Sequence, residues 1–168
     1  MRRISLLIFI GLLVGSCKSK SQNHPPTIKQ FKGFVTCSVP NAGYVISIPA
    51  DYKITESNGP DFSVYYIHRK DSTIKGGFSA TMYLGNAPSL FSTDKGCKPA
   101  HSTSTVLDDY AQWDVYGCNN RFFVQTIVKN KKNNGWDSMV HAAGRAKSKA
   151  GIDTVLYIFS TLKAEPNK

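Results

Sequence analysis

Three sets of residues carry the types that chemistry needs. Ser72-Thr73-Ile74-Lys75 places a serine three residues before a lysine, a spacing that on a helix sets an amine one turn from a nucleophilic hydroxyl. The companion Ser-Asp-Asn and Lys-Thr-Gly elements of such a site are missing from the chain. Ser72 also falls in a polar turn, so the match reads as chance. His24, His68, His101 and His141 are scattered, with no His-Glu-x-x-His and no Cys-x-x-Cys; the spacing of a dedicated zinc site is lacking, and neither metal nor cofactor is expected. Carboxylates are few, with Glu56 and Glu165 the only glutamates. Asp108 and Asp109 are adjacent and on a strand point to opposite faces, so they cannot work as a pair. Asp108, Tyr110, Gln112 and Asp114 would share one face, which could receive a cation or a sugar or simply be solvated. No catalytic residue is assigned.

A further chemical group stands at the start of the chain. Met1-Arg2-Arg3 leads into an apolar run over 4–14 and then Gly15-Ser16-Cys17. A positive start, a short apolar core and small residues before a cut site make a secretory signal. The core falls short of the ~20 apolar residues a membrane span needs. Val14-Gly15-Ser16-Cys17 resembles the lipobox of bacterial lipoproteins. That resemblance implies a signal over 1–16, cleavage before Cys17, lipidation of its thiol and amine, and a mature chain tethered to a membrane outside the cytoplasm. An ordinary secretory signal with an incidental cysteine is the alternative. Lys18 stands where some lipoproteins carry the Asp that retains them at the inner membrane, which favours the outer membrane. Residues 17–30 are polar, contain Pro25-Pro26 and read as a flexible tether, leaving 31–168 as one globular domain.

An exported address makes the remaining cysteines candidates for a disulfide. Cys97 and Cys118 both lie in turn-like sequence, whereas Cys37 sits inside the apolar run Phe34-Val35-Thr36-Cys37-Ser38-Val39. A Cys97–Cys118 bridge is therefore expected, with Cys37 a small buried hydrophobe. The formal net charge is +10, and loss of Arg2 and Arg3 with the signal lowers it by two. A basic excess can meet nucleic acid, an anionic membrane or an acidic partner; export argues against nucleic acid and leaves another envelope protein or an anionic envelope component. Lys129, Lys131, Lys132, Arg145, Lys147 and Lys149 could gather at one end of a sheet or lie in two solvated turns. The stretch Tyr83-Leu84-Gly85-Asn86-Ala87-Pro88-Ser89 runs from a strand into a Gly-Asn-x-Pro loop, and loops on rigid sheets often bind partners. Tyr83, Gly85, Asn86, Pro88 and Ser89 are its candidate residues, with a locally bonded connection as the plainer account.

The elements that would position these groups come from hydrophobic period. At 41% hydrophobic and 19% charged residues the chain is not disordered. Short β-rich or alternating runs at 34–39, 44–48, 52–55, 62–69, 78–84, 105–116, 121–129 and 136–145 predict strands. Residues 85–100 form a long loop in which Leu90-Phe91 could be a pin. Ile152, Val155, Leu156, Phe159 and Leu162 recur at helical spacing, with Asp153 expected in the first turn and Lys163 near the end, as the helix dipole prefers. The fold class is α+β: an antiparallel meander of six to eight strands with a C-terminal helix packed on one face.

Gly43-Tyr-Val-Ile-Ser-Ile-Pro-Ala-Asp-Tyr-Lys-Ile54, a hairpin meander and a final Ile-Phe-Ser-Thr-Leu-Lys resemble Mog1/PsbP-type domains. The resemblance implies an antiparallel sheet flanked by helices and a binding or assembly module without a common active site. A membrane-anchored, non-enzymatic binding module is thus the expectation. A small envelope hydrolase, pairing a serine or Cys37 with His141, and an immunity-type inhibitor of a secreted toxin are the alternatives.

Overall fold

The computed structural model describes residues 32–93, 96–118, 120–130 and 135–166. Cys17, the tether over 17–30, His24, Lys131 and Lys132 lie outside the described residues. The architecture is α+β, as the periodicity predicts. Strands β1 (Phe34–Val39) and β2 (Tyr44–Pro49) form a three-stranded sheet with β10 (Lys163–Ala164), in the order β1-β2-β10. The larger sheet contains β3 (Tyr52–Asn58), β4 (Phe62–Arg69), β5 (Phe78–Gly85), β6 (Ala100–Val106), β7 (Asp109–Cys118), β8 (Arg121–Lys129) and β9 (Met139–Ala146). Its order is β3-β4-β5-β9-β8-β7-β6, every pair antiparallel.

That order corrects the expected single meander. Two meanders, β3 to β5 and β6 to β9, are joined where β9 pairs with β5. The chain leaving β5 must therefore pass β9, β8 and β7 to begin β6 at the far edge. The expected strand over 105–116 is also two strands. Leu107 and Asp108 have φ of 54° and 61° between the paired ends Val106 and Asp109. Two left-handed central residues make the tight hairpin turn whose twist matches its flanking strands. The strand expected over 136–145 begins later, at Met139, and the described residues form ten strands in place of six to eight.

The helix α1 (Lys149–Ser160) starts where Ser148 accepts a hydrogen bond from the Gly151 N–H at 3.2 Å, satisfying one orphan donor of the first turn. Ile152, Val155, Ile158 and Phe159 form its buried stripe, each contributing roughly 1.5–3 kcal/mol when removed from water. Because the helix begins at Lys149, Asp153 lies in the second turn, and Lys163 belongs to β10. The helix packs closely on β9 because that strand is small on one face. A Cβ on Gly144 would stand 2.5 Å from Val155 Cγ1, and one on Gly151 2.6 Å from the Ala146 Cβ. Trp113 packs against Phe159 at 5.7 Å between ring centroids and donates its indole N–H to Ser104 Oγ at 2.8 Å. Cys37 is half-buried at the edge of this core, less enclosed than expected. No helix among the described residues is long and apolar enough to cross a membrane.

Gly144 faces the helix, so alternation along β9 turns Met139, His141, Ala143 and Arg145 to the opposite side. That side is crossed by the connection from β5 to β6, here called the strap. Asn86 fixes its start: the side-chain nitrogen donates to the carbonyls of Trp136 and Gly135 at 2.8 and 3.1 Å. Phe91 fixes its middle. Its N–H donates to Gln125 Oε1 at 2.8 Å and its carbonyl accepts from Gln125 Nε2 at 3.2 Å. A disulfide between Cys97 and Cys118, with Cα atoms 6.2 Å apart, fixes its end to β7.

Candidate functional site

Antiparallel pairing sets the first residues of β5, the last of β9, the first of β8 and the last of β7 at one end of the sheet. Register there aligns Ser79 with Arg145, Arg145 with Phe123, and Phe123 with Tyr116. These four side chains form a row across four strands, on the side away from α1. Where the strap leaves this row, a cleft of about 630 Å3 opens. Ser92, Thr93 and Cys97 of the strap form its roof, and Arg121, Arg145 and Lys147 bring three cations to it. No carboxylate and no imidazole lines it among the described residues.

Each cation has an identifiable position. The Arg145 guanidinium lies 5.5 Å over the centre of the Phe123 ring, a cation–π contact that orients it while leaving its edge donors free. Arg121 opens β8 opposite Cys118, so the disulfide that ends the strap also shapes the arginine's surroundings. Lys147 follows β9 directly, and two residues later α1 begins. None of the three has an ion pair among the described residues, while Arg69 pairs with Asp51 at 3.2 Å and Lys163 with Asp108 at 3.7 Å. Tyr116 and Phe123 stand 5.8 Å apart and 32° from parallel, giving the cleft an apolar wall.

The sequence-predicted residues fall in several places. Of the basic group, Arg145 and Lys147 line the cleft and Lys149 starts α1, but Lys129 ends β8. Eight residues of strand, about 27 Å, separate it from Arg121, so the group divides. Tyr83 stacks on Phe62 at 5.6 Å, Gly85 is buried, and Asn86 holds the residues before β9. Pro88 is half-buried and Ser89 exposed on the strap.

Ser72 and Lys75 sit in the non-helical β4–β5 connection, so the one-turn spacing never forms. Thr73 donates from its N–H and its hydroxyl to Asp71 at 2.8 and 2.6 Å, which holds the Asp71 carboxyl below its ordinary range. Asp108 occupies the hairpin turn, and Asp114 pairs with His101 at 3.1 Å on the outer strands. His68 contacts Thr55 Oγ1 at 3.1 Å. Among the described residues no cluster of three or more His, Cys, Asp or Glu could hold a metal.

His141 lies 3% exposed beneath Phe91, ring centroids 4.8 Å apart. Burial lowers its pKa below the ordinary value, and its Nε2 has no hydrogen-bond partner among the described residues. Cys37 belongs to the small sheet, its thiol 3.9 Å from the Val35 carbonyl; the structure does not bring it to His141.

Chemically, the cleft offers cations for an anion, hydroxyls that donate and accept, and an aromatic wall. Sequence reasoning missed Arg121, Tyr116, Phe123 and Ser79. Their only common signal is strand register, which local periodicity does not contain. Comparison with protein-family models, curated proteins and solved structures finds no match to this chain.

Proposed function

We propose that this chain is a lipid-anchored envelope protein working as a non-enzymatic binding module. In this reading Cys17 carries the lipid, residues 17–30 are the tether and the outer membrane is the site of attachment. Its partner is an anionic component of the envelope, held at the cleft, and the resemblance to Mog1/PsbP-type assembly domains belongs to the same proposal. The observation that carries it is the cleft's charge: three cations without an ion pair and no lining carboxylate among the described residues. A site for hydrolysis would need a base within reach of a nucleophile; among the described residues that line the cleft, the hydroxyls of Ser79, Ser92 and Thr93 meet no imidazole and no carboxylate.

The test uses the full chain, extracted in detergent and eluted from a phosphorylated matrix by salt. Arg121→Gln, Arg145→Gln and Lys147→Gln together should elute at much lower salt than Lys32→Gln, Lys53→Gln and Lys129→Gln, which remove the same charge elsewhere. Equal shifts would mean diffuse attraction and overturn the reading. Cys17→Ala should move the chain from the membrane to the soluble fraction; retention in the membrane would overturn the anchor.

A further inference from the structure

The chemistry of the cleft narrows the class of anion. At the start of α1 the first turn carries no acidic residue, although a helix N-terminus favours negative charge. Lys147 and Lys149 stand there instead, and Arg145 is two residues before Lys147. This arrangement leaves the start of α1 without the carboxylate that its dipole would favour. The second observation is the cleft itself, where Arg121 and Lys147 face the same space as the Phe123-stacked Arg145. Three cations far exceed the one charge of a carboxylate and suffice for the two charges of a phosphate monoester, whose oxygens suit the planar fork of arginine.

Phosphate alone would leave the rest of the cleft unused. Its volume, about 630 Å3, falls within the roughly 300–1,000 Å3 of small-molecule sites. Ser79, Ser92, Thr93 and Tyr116 ring it with hydroxyls, which donate and accept as sugar hydroxyls do. Tyr116 and Phe123 supply an apolar wall for the C–H face of a ring.

We infer that the cleft binds a phosphorylated sugar, with Arg121, Arg145 and Lys147 on the phosphate and the Tyr116–Phe123 wall against the ring. This rests on the binding-module reading and specifies its ligand. The sugar phosphate is either the headgroup of a glycolipid or a soluble molecule.

The test is calorimetric titration of the full chain in detergent with glucosamine 6-phosphate, glucosamine, inorganic phosphate and galacturonate. The sugar phosphate should bind at least about tenfold more tightly than each of the others, as expected when two parts of one ligand are held together. Arg145→Gln should weaken it about tenfold, the loss of a charge-assisted pair, while Arg145→Lys, with the charge kept, should fall between. Tyr116→Leu should erase the advantage over inorganic phosphate and leave phosphate binding itself unchanged, because Arg145 keeps the Phe123 ring beneath it. Tighter binding to vesicles carrying a monophosphorylated disaccharide lipid than to the soluble sugar, with plain phosphatidylglycerol vesicles as control, would identify a headgroup; equal binding would identify a soluble ligand. Affinity no better than that of inorganic phosphate or galacturonate overturns the sugar phosphate. If the triple glutamine variant nevertheless loses matrix retention, the binding module stands; if retention is also unmoved, both fall.

Discussion

The seven-stranded sheet has two faces built on different terms. Toward α1, Ala142, Gly144 and Ala146 of β9 leave room for the helix, and Val155 fills that room. Two polar groups buried on that side are bonded: Ser104 to Trp113, and Thr126 to the Gln112 carbonyl at 2.7 Å. Toward the strap, the same strands carry His141, Gln125, Arg145, Phe123 and Tyr116, and their cover is one crossing of chain. That cover is fastened at separate points, by Asn86, by the Phe91–Gln125 pair and by the disulfide. One face is closed by continuous packing. The other is closed at intervals, and an interval is where a cleft can open.

Removing one large aromatic from each side tests this contrast most strongly. Trp113 is fully buried, whereas Phe91 is 43% exposed. Trp113→Ala should lower unfolding stability by about 4 kcal/mol, the transfer and cavity cost of a large core side chain. Phe91→Ala should lose about 1 kcal/mol, since half its surface already meets water and its backbone bonds to Gln125 survive. Urea unfolding of both variants measures the difference. Equal losses would mean that the strap is a true part of the core.

The disulfide comes next. Cys97 and Cys118 are separated by 21 positions, and closing a loop of that size stabilises by about 3 kcal/mol in the chain-entropy account. Cys97→Ser with Cys118→Ser should lower the unfolding free energy by that amount. Amide exchange should quicken at Phe91 and stay slow along α1. An equal acceleration in the helix would show that the two faces are not independent.

The same contrast explains what could be read from the sequence. The α+β class, the stripe Ile152-Val155-Phe159 and the bounds of β1, β4 and β8 follow from burial on one side of an element, which leaves its period in the letters. Leu107-Asp108 hid a hairpin because its letters are not the Asn-Gly or Asp-Gly that such turns favour. The join of β5 to β9 pairs residues about sixty positions apart, and no local pattern encodes it. The cleft inherits this limit. Arg145 and Lys147 were visible as charges, but Ser79, Phe123 and Tyr116 became their neighbours only through register. The strap's fastening was partly legible in its cysteines and in the apolar pair Leu90-Phe91, but the role of Gln125 was not. A glutamine on a strand reads as solvent-facing, and here it is 1% exposed because Phe91 covers it.

The smallest expected effect concerns His141, which sits at the strap's central fastening. Burial lowers its folded pKa below the ordinary 6.5, so the folded state holds the imidazole neutral where the unfolded chain begins to take up a proton. Between those two pKa values the unfolded state binds more protons, and stability must rise with pH. The contribution is therefore present above about pH 6.5 and is lost as pH falls from there toward the lower folded value. His141→Gln removes the titration, so the difference between wild type and variant should shrink on going from pH 8 to pH 5. Taking the difference cancels the carboxylates and the exposed histidines common to both. Protection of the Phe91 amide, taken relative to its intrinsic exchange rate at each pH, should fall in acid in the wild type alone, because a charged imidazole beneath that ring has no partner for Nε2 among the described residues. A difference constant with pH would place His141 in contact with water in solution, and the strap would then be a looser cover than its hydrogen bonds imply.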